Sequence, residues 1–76
     1  MDKRASPRKR VLKAGTIEFG GSAITCMVRN MSDTGAMLDV ATPVGIPDHF
    51  TLRADGYRMP CRVVWRKEKG IGVVFN

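Results

Sequence analysis

The sequence predicts an all-β fold, a single closed antiparallel barrel of about six strands, on three observations. The chain has 76 residues, of which 43% are hydrophobic and 26% charged, enough for one small core in one domain. Apolar residues recur with period two from Val11 onward, the spacing of a strand with one buried face, and no stretch shows the three-or-four spacing of an amphipathic helix. Clusters of turn formers interrupt this alternation at short intervals. A closed barrel leaves no long unpaired edge in so short a chain, and a barrel this small fills its own interior with side chains. Any site is therefore expected on the outer wall or at a rim.

The first strand runs from Val11, with Val11, Gly15, Ile17 and Phe19 on one parity and Leu12, Thr16 and Glu18 on the other. Gly20-Gly21-Ser22 supplies a hairpin turn, since glycine reaches the positive backbone angles such turns need. Ala23 to Met31 forms the second strand, with Ile24, Cys26 and Val28 pointing inward. Ser32-Asp33-Thr34-Gly35 is a turn, and Ala36, Leu38 and Val40 are the inner face of the third strand. Pro43, Gly45 and Pro47 make 41–48 a connection, because proline lacks an amide proton and fixes its own φ. The fourth strand, His49 to Ala54, turns Phe50 and Leu52 inward. Asp55-Gly56 closes a hairpin onto the fifth, Tyr57 to Arg66, whose inner parity is Cys61, Val63 and Trp65. After the polar turn 67–70, Ile71, Val73 and Phe75 face inward on the last strand.

Charge is distributed unevenly. The net charge is +6, and residues 1–13 hold Lys3, Arg4, Arg8, Lys9, Arg10 and Lys13 against Asp2 alone, leaving the remaining chain almost neutral. A basic head on a neutral body points to a localised anionic partner. The two cysteines, Cys26 and Cys61, lie in apolar stretches and read as core residues, not as a disulfide framework. With His49 as the single histidine, no metal site is expected, and no histidine base lies near Ser22 or Ser32, so no catalytic set is expected either. The carboxylates Asp33, Asp39, Asp48 and Asp55 fall in turns or on outward parities. No apolar run approaches the roughly 18 residues of a membrane span, and the charged start lacks the apolar stretch of a signal peptide, so the chain reads as cytoplasmic without membrane insertion.

Two segments remain, the arginine-rich start Lys3-Arg4-Ala5-Ser6-Pro7-Arg8 and the turn Asn30-Met31-Ser32-Asp33-Thr34-Gly35. They spell R-x-x-x-R and, about 20 residues later, N-x-S-x-x-G, a combination that resembles the PilZ domain family of cyclic di-GMP receptors. The segment Cys61-Arg62-Val63-Val64-Trp65-Arg66 followed by Gly70-Ile71-Gly72-Val73-Val74-Phe75 looks like that family's closing hairpin, so the resemblance covers nearly the whole chain. It implies a six-stranded antiparallel barrel, in agreement with the strand count. A helix often follows the last strand in this family; this chain ends at Asn76, and none is expected.

Carried over residue by residue, the resemblance makes Arg4 and Arg8 the ligand-gripping arginines, with Lys3, Lys9 and Arg10 as helpers. Arginine suits both halves of a cyclic dinucleotide, because its planar fork binds phosphate oxygens or the O6 and N7 edge of guanine in bidentate fashion. Asn30 offers an amide oxygen to the guanine N1 or N2 edge, Ser32 a hydroxyl for phosphate or for its own turn, and Gly35 a close backbone approach with an unusual backbone angle. Trp65 shares the parity of Val63 and Cys61, which favours core packing over a stacking platform for a base. The expected organisation is a flexible basic ligand-gripping segment, 1–10, on a barrel, 11–76. The expected function is a non-enzymatic cyclic di-GMP receptor, without a cofactor, whose head closes over the ligand and changes the surface shown to a downstream protein. The alternatives are a protein-docking module that no longer binds the nucleotide and a small nucleic-acid-binding barrel. Nucleic acid is the weaker partner, since Phe19, Phe50, Trp65 and Phe75 take inner parities and leave Tyr57 as the exposed aromatic.

Overall fold

The computed structural model describes residues 9–76, with side chains described from Leu12 onward. Six strands follow one another, β1 (Lys9–Phe19), β2 (Ser22–Met31), β3 (Gly35–Asp39), β4 (His49–Ala54), β5 (Tyr57–Lys67) and β6 (Gly70–Phe75). They close into an antiparallel barrel in the order β1-β2-β3-β6-β5-β4. The closure joins β1 to β4 through Thr16 to Glu18 opposite Arg53 to Thr51. The β1 ladder begins at Lys9, two residues before the apolar alternation, because backbone pairing with Met31 continues where the side chains are already charged.

Period two fills the interior as expected. Ile17, Val28, Leu38, Leu52 and Ile71 are wholly buried, one or more from each of five strands, and Cys61 completes the set from β5. The Asp55-Gly56 turn has positive φ at both residues, 54° and 80°, the backbone that a two-residue hairpin with right-twisted strands requires. Two core residues come from outside the strands, Val40 directly after β3 and one from the loop that follows. Ile46, in the 41–48 connection, is buried because Gly45 takes φ +91° and the Ile46 amide donates to the Pro43 carbonyl at 3.3 Å, folding the loop back on the barrel.

Three irregularities break the ladders, between Arg10 and Lys13 on β1, between Val28 and Asn30 on β2, and between Val63 and Trp65 on β5. Each is a bulge that reverses the parity of the residues beyond it. The last corrects the reading of Trp65. Unbroken pairing from Val63 opposite Val73 would bring Trp65 opposite the buried Ile71; the extra residue Val64 sets it opposite Gly72 instead, and the indole lies on the outer wall, 38% exposed.

Both thiols are buried and reduced. Burial pushes the Cys26 and Cys61 thiols up from 9.0 to about 11, with the neighbouring Cys61 adding to the shift at Cys26. Well below pH 9 both thiols are protonated in the folded and unfolded chains alike. Between pH 9 and 11 the unfolded chain releases thiol protons that the fold retains, so stability falls across that window by on the order of 2–3 kcal/mol per thiol, less for the coupled pair. Urea unfolding at pH 8 and pH 10.5 should therefore show a larger loss for the native chain than for Cys26→Ala/Cys61→Ala. Equal losses would refute the assignment.

Candidate functional site

The bulges on β1, β2 and β5 bring one transverse row of residues into line. Arg10 pairs with Asn30, Asn30 with Met37, Met37 with Gly72, and Gly72 with Trp65, so the row crosses β1, β2, β3, β6 and β5 in succession. The next row, Met31, Ala36, Val73 and Val63, packs against the core. The row from Asn30 to Trp65 is therefore the outer one. Without the β2 bulge at Arg29, pairing from Val28 opposite Leu38 would place Asn30 opposite Ala36 and aim its amide at the core. The bulge turns Asn30 outward.

Above this row lies an open cavity of about 260 Å³, lined by Asn30, Ser32, Gly35, Met37, Val64 and Trp65 among others. Its rim is the β2–β3 turn. The Ser32 amide donates to the Gly35 carbonyl at 2.9 Å, the Thr34 amide donates to Ser32 Oγ at 3.3 Å, and the Phe75 amide donates to the Thr34 carbonyl at 2.8 Å. The first two bonds shape the turn and the third ties it to β6, so the rim is held on two strands. Ser32 Oγ stands 3.3 Å from Thr34 Oγ1 and 3.4 Å from the Gly35 carbonyl oxygen, contacts long enough to give way to a stronger acceptor.

Gly35 is required for space. A β-carbon there would overlap the Val73 carbonyl oxygen and stand 3.3 Å from both Val73 C and Val74 Cα, where β3 and β6 cross closely. The expected unusual backbone angle is absent: positive φ is confined, among the described glycines, to Gly20, Gly21, Gly45 and Gly56.

Trp65 forms the far wall. Its indole rests against Gly72, and Lys67 Nζ sits 5.5 Å from the ring centroid. Such an exposed cation–π contact is worth about 0.5–1 kcal/mol, a minor restraint on the ring. The same indole borders another open depression with Met37, Asp39, Lys67 and Gly70.

The electrostatics of the body are largely self-cancelling. Arg29 pairs with Asp39 at 3.0 Å and Arg66 with Asp48 at 2.8 Å, Lys13 pairs with Asp55, and Glu18 lies between Arg53 at 3.4 Å and Arg58 at 3.9 Å. These exposed pairs add little stability. Their effect is to balance the charge of the barrel, which leaves the surplus in the basic N-terminal segment.

The structure thus brings Asn30, Ser32 and Gly35 together on one groove, with Lys9 and Arg10 on the adjoining strand in register with Met31 and Asn30. Arg4 and Arg8, together with Lys3, lie outside the described residues. Trp65, Met37 and Gly72 join the site without having been assigned to it; plain alternation already turns Met37 and Gly72 outward, whereas the outward placement of Trp65 depends on the β5 bulge and not on any local pattern. Among the described residues no group of three or more His, Cys, Asp or Glu side chains is arranged to hold a metal ion, and no helix is long and apolar enough to cross a membrane. A family model described as the PilZ domain matches residues 2–76. No curated protein matches the chain.

Proposed function

The chain belongs to the PilZ domain family over essentially its whole length, and from that premise we propose that it is a cytoplasmic, non-enzymatic receptor for cyclic di-GMP. The observation that carries the proposal is the convergence of Asn30, Ser32 and Gly35 on one groove walled by an exposed indole, next to the strand from which the basic head departs.

Each part has a chemical role in this reading. The Asn30 amide oxygen accepts from the guanine N1–H and N2–H edge, and the Ser32 hydroxyl donates to a phosphate. Gly35 keeps the rim low enough for the ligand to approach the backbone. The Trp65 indole, the stacking platform of the two roles open to it, offers a face to a base at about 1–3 kcal/mol per stacked base. Arg4 and Arg8 close over the ligand from the opposite side with bidentate bonds to phosphate or to guanine O6 and N7.

The dimensions are compatible. Four strand spacings of about 4.8 Å separate Arg10 from Trp65 along the row, roughly 19 Å. The six residues from Arg10 back to Arg4 span at most about 20–22 Å when extended, so the head is long enough to lie across the whole groove. Closure would hold the arginine segment and a dianionic ligand against the wall, a change that a downstream protein can read.

Isothermal titration calorimetry with cyclic di-GMP at near-physiological salt, with GTP as control, tests the reading. Selective heat from cyclic di-GMP supports it and gives the stoichiometry. Heat from neither nucleotide, or equal affinity for both, overturns it and leaves the docking module to be tested. Asn30→Ala should weaken cyclic di-GMP about tenfold, the share of one hydrogen bond with its unpaired partner, while the thermal midpoint stays within a few degrees.

A further inference from the structure

Gly72 lies on the outward row yet is buried, and what buries it is the Trp65 side chain. A β-carbon at residue 72 would fall 2.7 Å from Trp65 Cζ2 and closer still to Cε2 and Nε1. No backbone requirement accounts for the glycine, since its φ lies outside the positive region that glycines 20, 21, 45 and 56 occupy. The space it leaves is filled by the indole.

We propose that Gly72 is the positioning residue of the groove: by carrying no side chain, it lets the Trp65 indole lie against the β6 backbone and so sets the surface on which a purine base stacks. The proposal rests on the receptor reading for its ligand and on the geometry alone for the positioning. The Val64 bulge delivers Trp65 opposite residue 72, and Met37 flanks that residue from β3. Any side chain at 72 would occupy the volume the ring now fills and lift it from the wall. Lys67, 5.5 Å from the ring centroid on an exposed part of the surface, touches the ring too loosely to hold it in place against such an overlap.

Trp65 is the single tryptophan of the chain, so fluorescence excited at the red edge of the absorption band, where Tyr57 does not absorb, reports on it alone. In the ligand-free protein, Gly72→Ala should shift the emission maximum to longer wavelength and raise the acrylamide quenching constant about twofold. Cyclic di-GMP affinity should fall about tenfold in the same variant. Unchanged emission and quenching in a folded Gly72→Ala protein overturn the proposal. Should that variant melt early or fail to fold, adding Trp65→Leu removes the ring it collides with; recovery of the melting transition supports the proposal, and no recovery overturns it. Absence of cyclic di-GMP binding by the native chain would instead remove the receptor reading and the purine with it, while the fluorescence and rescue measurements still decide whether Gly72 positions the indole.

Discussion

Gly35→Ala should lower the unfolding free energy by about 2–4 kcal/mol, a large stability effect for a single added methyl group. The added carbon overlaps the Val73 carbonyl oxygen, and its other neighbours, Val73 C and Val74 Cα at 3.3 Å, are also backbone. A flexible side chain could rotate away; a paired strand cannot. Gly35 is opposite Val74 and Ala36 opposite Val73, so relief would require prising β3 from β6 at the end of their ladder. A chain of this length has roughly 4–11 kcal/mol of stability in total, so the substitution removes a large share of it. The same displacement disturbs the rim, because the Ser32 amide bonds to the Gly35 carbonyl, and ligand affinity should fall with stability. Urea unfolding beside Gly20→Ala separates the causes. Gly20 has φ +51° and nothing within 4 Å of a β-carbon, so alanine there should cost only about 1 kcal/mol of backbone strain. Equal costs at the two positions would refute the close approach of β3 and β6.

The second large effect concerns binding. In the receptor reading, Arg8→Ala should reduce cyclic di-GMP affinity at least about 100-fold with the melting transition unchanged, whereas Arg8→Lys should retain about a tenth of the native affinity. Hydrogen bonds between charged groups are worth about 1.5–3 kcal/mol each, and alanine removes both arms of a bidentate pair, while lysine keeps the charge and loses the fork. The ratio between the two variants is therefore the informative quantity. If lysine performs as well as arginine, the head acts only as a diffuse positive charge, and binding should then weaken steeply with salt. If neither substitution changes the titration, Arg8 is not a ligand-gripping residue. Calorimetry on the three proteins at one salt concentration distinguishes these cases.

Much of the molecule was legible in the sequence because its signals are local. Alternation in Ala23 to Val28 and His49 to Ala54 marks strands directly, since one buried face imposes period two. Asp55-Gly56 could be read as a tight hairpin because few residue pairs accept two positive φ angles. The turn from Ser32 to Gly35 was equally readable, and its serine bonds within the turn as a short polar side chain does. Ile46 was missed for the complementary reason. Between Pro43 and Pro47 no period operates, and the hydrophobic side chain is turned inward by a single glycine angle.

Strand number, turn chemistry, the burial of both thiols and the uneven charge follow from residues close together along the chain, and the sequence alone settled them. Which wall residues face the groove is a property of pairs of strands. Asn30 would have pointed inward and Trp65 would have packed in the core had their ladders continued unbroken from Val28 and Val63. One extra residue on each strand, Arg29 and Val64, reverses them, and nothing in either segment announces it, because a bulge exists only relative to the partner strand and the register that barrel closure imposes. The groove with its indole wall is thus the product of register, while the turn that rims it is the product of local chemistry.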